Sequence, residues 1–296
     1  MERVRHFARD LRQYESISRR RALEALWDDA KRDITTEALA IHGHAKARII
    51  AEEPGILCGL PEALSVLRPL HAISLLQEGS KFNAGQAILE FSGTKTEILR
   101  RERTALNYLG LLSGIATETG KWVAKIGKGK VAAIRKNHPL LTESEKRAVQ
   151  AGGGLAHRMN LSDGYLIKNT HLDFVRKRGK LGMGEAVREA VKSCQRHRRK
   201  TKNHHFVEAE VMSKQEAVAA AKAGADAILI DNQKPERFAA IVREVRKVNQ
   251  KIVIEASGGI TPENAEKYIH AGADFVSTSY LVMRARPIRM HLKLMF

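Results

Sequence analysis

The sequence holds little cysteine and few aromatic residues, and each scarcity excludes a class of protein. Its two cysteines, Cys58 and Cys194, are far apart and have no second pair. Neither a disulfide framework nor a cysteine-ligated zinc site is therefore expected, and a reducing compartment is favoured. Aromatic residues make up only 5% of the chain, which leaves little material for stacking on nucleic-acid bases.

Long apolar runs are also missing. No run approaches the roughly 18 residues that a membrane-spanning helix needs. The N-terminal stretch MERVRHFARDLRQYES is charged and unlike a secretory signal. We therefore expect a cytoplasmic protein that makes no membrane contact.

Acidic residues are in deficit, with 33 against 51 lysines and arginines, and the net charge is +18. Such a charge attracts nucleic acids and small phosphorylated substrates alike, so it cannot choose between them. The densest basic run, QRHRRKTK at 195–202, contains no aromatic residue and is typical of the solvated end of a helix. The composition therefore disfavours nucleic acid as a partner.

The first third of the chain has a mixed pattern. Apolar spacing predicts a helix up to about residue 32, with Leu23, Leu26 and Trp27 on one face. A long helical region starts near residue 94, and Gly114 suggests that it breaks there into two helices. Between them the patterns predict a helix over 61–68 and strands over 45–52, 56–59 and 87–91.

Beyond about residue 128, strand and helix patterns alternate. The segments AGADAILID and AGADFVSTS repeat one unit, in which a glycine closes a helix before a strand. This alternation predicts a parallel α/β barrel of six strands, with an open doubly wound sheet as the alternative. No dinucleotide or P-loop glycine motif opens any unit. The predicted strands are 130–134, 165–167, 206–211, 227–230, 251–254 and 275–276.

Charged or hydroxyl side chains follow nearly every predicted strand of this region. Ligands of parallel α/β proteins bind at the C-terminal strand ends, so these residues predict a site for an anionic substrate that carries hydroxyls or Mg²⁺. Strand periodicity puts Glu208 and Glu210 on one face. The residues at these ends are Arg135, Lys136, Lys168, Glu208, Glu210, Asp231, Glu255, Ser257, Ser277 and Ser279.

Glycines mark two further places. The triplet at 152–154 predicts a tight turn, or a place where a ligand approaches bare backbone, rather than a packing contact. Gly258 and Gly259 could present backbone N–H groups to a phosphate, beside a helix that is predicted to begin at Thr261.

Six segments resemble the quinolinate phosphoribosyltransferase family, and they occur in the family's order over most of the chain. They are DITTEAL from Asp33, ERTALNYLGLLSGIAT from Glu102, GGGLAHRMNLSDGYLIK from Gly152, EAEV from Glu208, LIDN ending at Asn232, and EASGGI from Glu255.

The resemblance implies an incomplete six-stranded parallel α/β barrel at 118–283 and an N-terminal α+β sandwich domain at 1–117, on which the tail 284–296 packs back. It also implies a homodimer or higher even oligomer, in which the sandwich domain covers the partner's barrel. The implied reaction joins quinolinate and phosphoribosyl pyrophosphate, with Mg²⁺, to give nicotinate mononucleotide, pyrophosphate and CO₂ in NAD biosynthesis.

The resemblance also implies roles for individual residues. Arg103 resembles an arginine that is contributed across the dimer to the pyridine carboxylates. Glu208 and Asp231 resemble the acidic pair near the ribose hydroxyls and Mg²⁺, and with Lys136 and Lys168 they form the implied catalytic set. The other implied substrate-binding residues are Arg135, His157, Arg158, Ser257, Gly258, Gly259, Ser277 and Ser279.

Two departures from the family pattern touch the carboxylate side of the pocket. Thr142 stands where the family has an arginine, and Leu140 stands where it has a glycine. The alternatives are therefore a relative of the same fold that acts on another anionic base, such as nicotinate or the base of the molybdenum-operon branch, and a basic nucleic-acid-binding protein.

Overall fold

The computed structural model describes residues 10–295, which form two compact units. The sheet unit comprises residues 10–121, 136–154 and 281–295, and the barrel unit comprises residues 122–135 and 155–280. The predicted domain boundary after residue 117 lies inside a continuous helix, Lys95–Ile126.

The sheet unit is built on four antiparallel strands, β1 (His44–Ala51), β3 (Ile73–Ser74), β5 (Ala87–Thr94) and β12 (Met290–Met295), in the order β12-β1-β5-β3. Along β1, Ala47, Ile49 and Ala51 are buried while His44 and Lys46 are exposed, so one face of the sheet packs on the core. The remaining elements of this part of the chain are β2 (Gly55–Ile56), β4 (Lys81–Phe82), α1 (Glu15–Asp29), α2 (Ile34–Ala38), α3 (Leu60–Val66), α4 (Lys95–Ile126), α5 (Thr142–Ala151) and α11 (Tyr280–Met283).

Helix α4 runs for 32 residues without a break. The predicted interruption at Gly114 is wrong, because this glycine serves a close approach and not a turn. A Cβ atom at Gly114 would overlap the carbonyl oxygen of Arg286, and the backbone N–H of Ile288 donates to the carbonyl of Gly110 at 2.9 Å. The C-terminal segment thus lies directly against the helix backbone.

The first two glycines of the 152–154 triplet have different structural roles. Gly153 has φ +89° and turns the chain at the end of α5. A Cβ atom at Gly152 would overlap the carbonyl oxygen of Ala116 in α4, so this glycine permits helix contact. The expectation that the triplet has no packing role is therefore wrong.

The barrel unit contains six parallel strands, as predicted. They are β6 (Val131–Ala133), β7 (Tyr165–Ile167), β8 (Val207–Val211), β9 (Ala227–Asp231), β10 (Val253–Ser257) and β11 (Phe275–Thr278), in the order β6-β11-β10-β9-β8-β7. Within residues 10–295 no ladder joins β6 to β7, so the sheet is a half-barrel. Its helices are α6 (Asn169–Gly179), α7 (Met183–Thr201), α8 (Lys214–Ala223), α9 (Pro235–Val248) and α10 (Ala265–His270).

Several local predictions differ from the structure. Helix α6 was not expected, and it begins directly after Lys168. In α1, Leu26 is buried, but Leu23 and Trp27 are 42% and 69% exposed, so the predicted apolar face packs only in part. The part of the predicted first helix that covers residues 1–9 lies outside the described residues. None of the helices in residues 10–295 combines the length and apolar character needed to cross a membrane.

Candidate active site

Apolar side chains close the N-terminal side of the half-barrel. Phe206 directly precedes β8, and Ala227, Val253 and Phe275 each begin their strands. Together with Ala132 and Leu155 they form one buried cluster. This apolar floor excludes water, so ionisable groups that lie against it are in a poorly polarisable environment.

His157 lies on the floor, with its ring centroid 5.2 Å and 5.9 Å from those of the two phenylalanines. Its Nε2 atom is 2.8 Å from Oε2 of Glu208 and 3.4 Å from Oε2 of Glu255. The Ser277 hydroxyl donates to Oε1 of Glu255. All four residues are at most 5% exposed, so they form a buried polar layer in the barrel interior.

The two carboxyl groups of this layer hold protons unusually tightly. Burial raises the pKa of Glu208 to about 7. Burial, and then the negative charge of Glu208, raise the pKa of Glu255 well above its usual range. We therefore expect the pair to retain a proton at neutral pH, because two adjacent buried carboxylates resist carrying charge together.

A second acidic pair lies nearer the C-terminal strand ends. Burial and the charge of Asp231 raise the pKa of Glu210, and Asn169 and Lys168 oppose this rise. The Asn169 side-chain amide donates to Oε1 of Glu210 at 2.9 Å. Glu210 is thus the glutamate that interacts with Asp231, whereas Glu208 is engaged with His157.

Two arginines of the predicted pocket also lie close together. Arg158 is 6% exposed, and its Nη1 donates to the carbonyl oxygen of Gly164 at 2.7 Å. Burial, and then the positive charge of exposed Arg135, lower the pKa of Arg158. Two neighbouring guanidinium groups that repel each other favour an anion between or beside them.

The loops that follow β9 and β10 lie against each other. The backbone N–H of Asn232 donates to the carbonyl of Ser257 at 2.9 Å, and Gly258 and Gly259 have φ +83° and +63°. The predicted helix at Thr261 begins four residues later, because the backbone N–H of Thr261 bonds to Oδ1 of Asn264 in a turn.

The serines that follow the last strand differ from one another. Ser277 was predicted to bind phosphate, but its hydroxyl is buried on Glu255. Ser279 follows β11 and is half-buried, so of these two serines it is the one that remains available to a ligand at the C-terminal strand ends.

Lys136 and Arg103 belong to the sheet unit. Lys136 is exposed, and Arg103 lies on α4 with its side chain 65% exposed. The loop after Lys136 is closed by a hydrogen bond from the Asn137 amide to the Thr142 hydroxyl. Within this loop Leu140 has φ +66°, a conformation that favours glycine.

Family models decide the relationship. One described as quinolinate phosphoribosyl transferase, C-terminal domain, matches residues 115–293, and its N-terminal counterpart matches residues 33–113. The chain belongs to the quinolinate phosphoribosyl transferase family. The resemblance that the sequence motifs indicated is therefore confirmed, and the chain is a phosphoribosyltransferase.

Relatives within this family cover most of the chain. It is 35% identical over 272 residues to the probable carboxylating nicotinate-nucleotide pyrophosphorylase of Methanothermobacter thermautotrophicus, covering 88% of this chain and 93% of that one. The human carboxylating nicotinate-nucleotide pyrophosphorylase is 34% identical over 258 residues, covering 85% and 83%.

Solved structures confirm the fold class. The nicotinate-nucleotide pyrophosphorylase of Francisella tularensis matches with a TM-score of 0.81 at 32% identity, over 95% of this chain and 97% of that one. The half-barrel with an N-terminal antiparallel sheet is therefore the architecture of a quinolinate phosphoribosyl transferase.

The sequence patterns assigned no individual role to three residues of this candidate site. Asn169 bonds to Glu210, and Glu255 bonds to Ser277. Glu210 and Glu255 were visible at predicted strand ends, but period-two alternation places a residue on a face without giving its depth. Nothing in the sequence marked Asn169, because helix α6 was not predicted.

Glu208 makes the stability of this family member depend on pH. Its folded pKa of about 7 exceeds the unfolded value, so its stabilising protonation is complete at low pH and is lost as the pH rises through about 7. In the wild type we expect the free energy of unfolding to fall by up to about 3 kcal/mol between pH 5 and 8. In Glu208→Gln we expect this fall to be absent. Urea unfolding at pH 5 and at pH 8 measures this change in free energy. The control is Glu236→Gln at an exposed position, which is expected to show the same pH dependence as the wild type. Equal pH dependence in all three proteins would contradict the assignment.

Proposed function

We propose that the chain transfers the phosphoribosyl group of phosphoribosyl pyrophosphate to the ring nitrogen of quinolinate, giving nicotinate mononucleotide, pyrophosphate and CO₂. This is the carboxylating nicotinate-nucleotide pyrophosphorylase reaction of NAD biosynthesis. The observation that carries the proposal is the match to both family domains, in order, over residues 33–113 and 115–293.

The acidic pair supports the sugar chemistry. As the bond from ribose C1 to pyrophosphate breaks and the pyridine nitrogen attacks, positive charge develops on the ribose ring. The carboxylates of Glu210 and Asp231, whose charges already interact, are suited to stabilise that charge. Decarboxylation then breaks the bond from C2 to its carboxylate, the electron pair stays on C2 beside the cationic nitrogen, and a proton adds there.

Cations supply the rest of the site. Arg135, Lys136, Arg158 and Lys168 balance the negative charge of the quinolinate carboxylates and of the departing pyrophosphate. The exposed position of Lys168 at the end of β7 supports this role. Residues that suit the 5′-phosphate are Ser257, Gly258, Gly259 and Ser279.

The chemistry of the donors supports Mg²⁺ at Glu210 and Asp231, because Mg²⁺ prefers oxygen ligands. Glu208 was predicted as a ligand, but it belongs to a buried group with His157 and Glu255, in which an imidazole is one of the three donors. We therefore propose Glu210 in place of Glu208. When bound, Mg²⁺ supplies positive charge for the leaving pyrophosphate.

A homodimer, or a higher even oligomer, completes the proposal. Arg103 of one copy would serve the pyridine carboxylates of the other. The exposed side chain of Arg103 supports this role. Within the described residues its ion pair is with Oε1 of Glu102, at the long distance of 4.0 Å.

The test supplies quinolinate, phosphoribosyl pyrophosphate and Mg²⁺, and measures nicotinate mononucleotide and CO₂. We expect equal amounts of both products. Turnover of nicotinate but not of quinolinate would exclude quinolinate as the substrate. It would favour a relative that acts on another anionic base, the alternative indicated by Thr142 and Leu140.

The same assay tests the metal ligands. Glu210→Gln is expected to raise the half-saturating Mg²⁺ concentration at least about tenfold, and Glu208→Gln is expected to leave it within about twofold. The opposite pattern would return the metal to Glu208.

A further inference from the structure

Much of the unexplained positive charge lies on two adjacent helices of the barrel unit. Residues 173–205 contain eleven lysines and arginines against three carboxylates. Helix α6 packs against α7, so these residues form one region of the surface. Ten of the eleven cations are exposed to solvent: Arg176, Lys177, Arg178, Lys180, Arg188, Lys192, Arg196, Arg199, Lys200 and Lys202. We call this region, with Phe174, the α6–α7 surface.

The cations on α7 follow a stripe. Ala186, Val187, Ala190 and Val191 face the core, which turns the opposite side of the helix outward. On that side Arg188, Lys192, Arg196 and Arg199 recur at spacings of four, four and three residues, so their side chains are neighbours.

Few carboxylates neutralise the α6–α7 surface. Arg196 pairs with Glu189 at 2.7 Å, and the partly buried Arg198 pairs with Asp226. Across the described chain, no ion pair is recorded for the other exposed cations of the surface. A row of cations without matching carboxylates accumulates counterions, which a polyanion displaces on binding.

The fold also supplies the aromatic groups that the basic run lacks in the sequence. Phe174 on α6 is 76% exposed and shares a helix face with Lys177 and Arg178, three and four residues later. At the far end of α7 the Tyr165 hydroxyl lies 2.8 Å from Nδ1 of exposed His197. Aromatic rings thus lie on α6 and beside α7 within the basic region.

We propose that the α6–α7 surface binds single-stranded nucleic acid, with the cations on its phosphates and Phe174 stacked on a base. Such proteins combine a cationic track with aromatic rings that accept any base. The alternative, an anionic membrane, fits less well, because Phe174 is the one large apolar side chain that is strongly exposed on α6 and α7 within residues 10–295. Membrane anchoring needs a larger inserted apolar area.

The test measures fluorescence anisotropy of a labelled 20-nucleotide RNA of mixed sequence against the full-length protein over a range of KCl concentrations. The variant Lys192→Glu/Arg199→Glu/Lys200→Glu is expected to weaken binding at least about thirtyfold. The slope of log affinity against log salt is expected to fall by about 2, since each lost phosphate contact removes about 0.7 for a single strand.

A matched control keeps the composition of the change. Lys214→Glu/Lys222→Glu/Arg243→Glu also reverses two exposed lysines and one exposed arginine, on α8 and α9. We expect it to retain RNA affinity within about threefold. Equal losses in the two triple variants would show that net charge alone drives binding, and this result would overturn the proposal.

Phe174 separates stacking from charge. Phe174→Ala is expected to lose about tenfold in RNA affinity with an unchanged salt slope, and Phe174→Trp is expected to keep it. Phosphoribosyl transfer serves as the folding control, since none of these residues belongs to the active site. Absence of RNA binding at 100 mM KCl, or binding only to phosphatidylserine vesicles, would refute a nucleic-acid surface while leaving the proposed enzyme function intact.

Discussion

Replacing Lys168 with alanine is expected to lower kcat/KM for nicotinate mononucleotide formation by about a hundredfold to a thousandfold. Lys168 directly follows the C-terminal end of β7, and its charge acts on Glu210. Removing a positioned charge from the place where a transition state gains negative charge typically costs this much. Steady-state kinetics with quinolinate and phosphoribosyl pyrophosphate measure the effect.

The control for Lys168→Ala is Lys222→Ala, which removes one exposed charge from α8 of the same unit. We expect wild-type kinetics from it. A Lys168→Ala enzyme that retains more than a tenth of wild-type kcat/KM would exclude this lysine from the chemistry.

Replacing Arg147 with methionine is expected to lower the free energy of unfolding by about 3–5 kcal/mol. Arg147 pairs with Glu62, which is fully buried and also accepts a hydrogen bond from the Ser144 hydroxyl at 2.6 Å. Without the guanidinium, the buried Glu62 carboxylate loses its compensating charge. Urea denaturation followed by circular dichroism measures the loss.

A double variant distinguishes lost pairing from lost packing. Glu62→Gln/Arg147→Met removes both charges, so we expect it to be more stable than Arg147→Met alone. If the double variant is less stable than the single variant, the cost lies in packing and the charge argument fails.

Strand positions in the barrel were readable from the sequence, because short apolar runs alternate with helical patterns, and a glycine, Gly224 or Gly272, precedes two of these runs. The run 227–230 and the structural strand Ala227–Asp231 show how closely this pattern holds. Helix α6 was not predicted because Leu172 is the one buried residue among its positions, so the segment shows no apolar periodicity. Gly114 was misread because a close chain approach and a helix break look alike in sequence.

Depth in the barrel was the missing information at the site. Glu208 and Glu210 have the same residue type and lie on the same strand face, but only Glu208 is fully buried, where it meets His157. Which glutamate interacts with Asp231 depends on contacts between residues far apart in sequence, such as the hydrogen bond from Asn169 to Glu210. A local pattern cannot contain those contacts.

Strand β12 has a consequence for how the chain is made. It pairs with β1 from Lys46↔Met295 to Ala51↔Met290, so the two paired strands lie far apart in sequence. During synthesis on the ribosome β1 must wait until residues 290–295 have emerged before that side gains its partner. Until then the nascent chain exposes a row of unpaired peptide groups, which is the kind of edge that other strands capture. Nascent chains in which β12 has not yet emerged are therefore expected to need chaperones at this edge of the sheet.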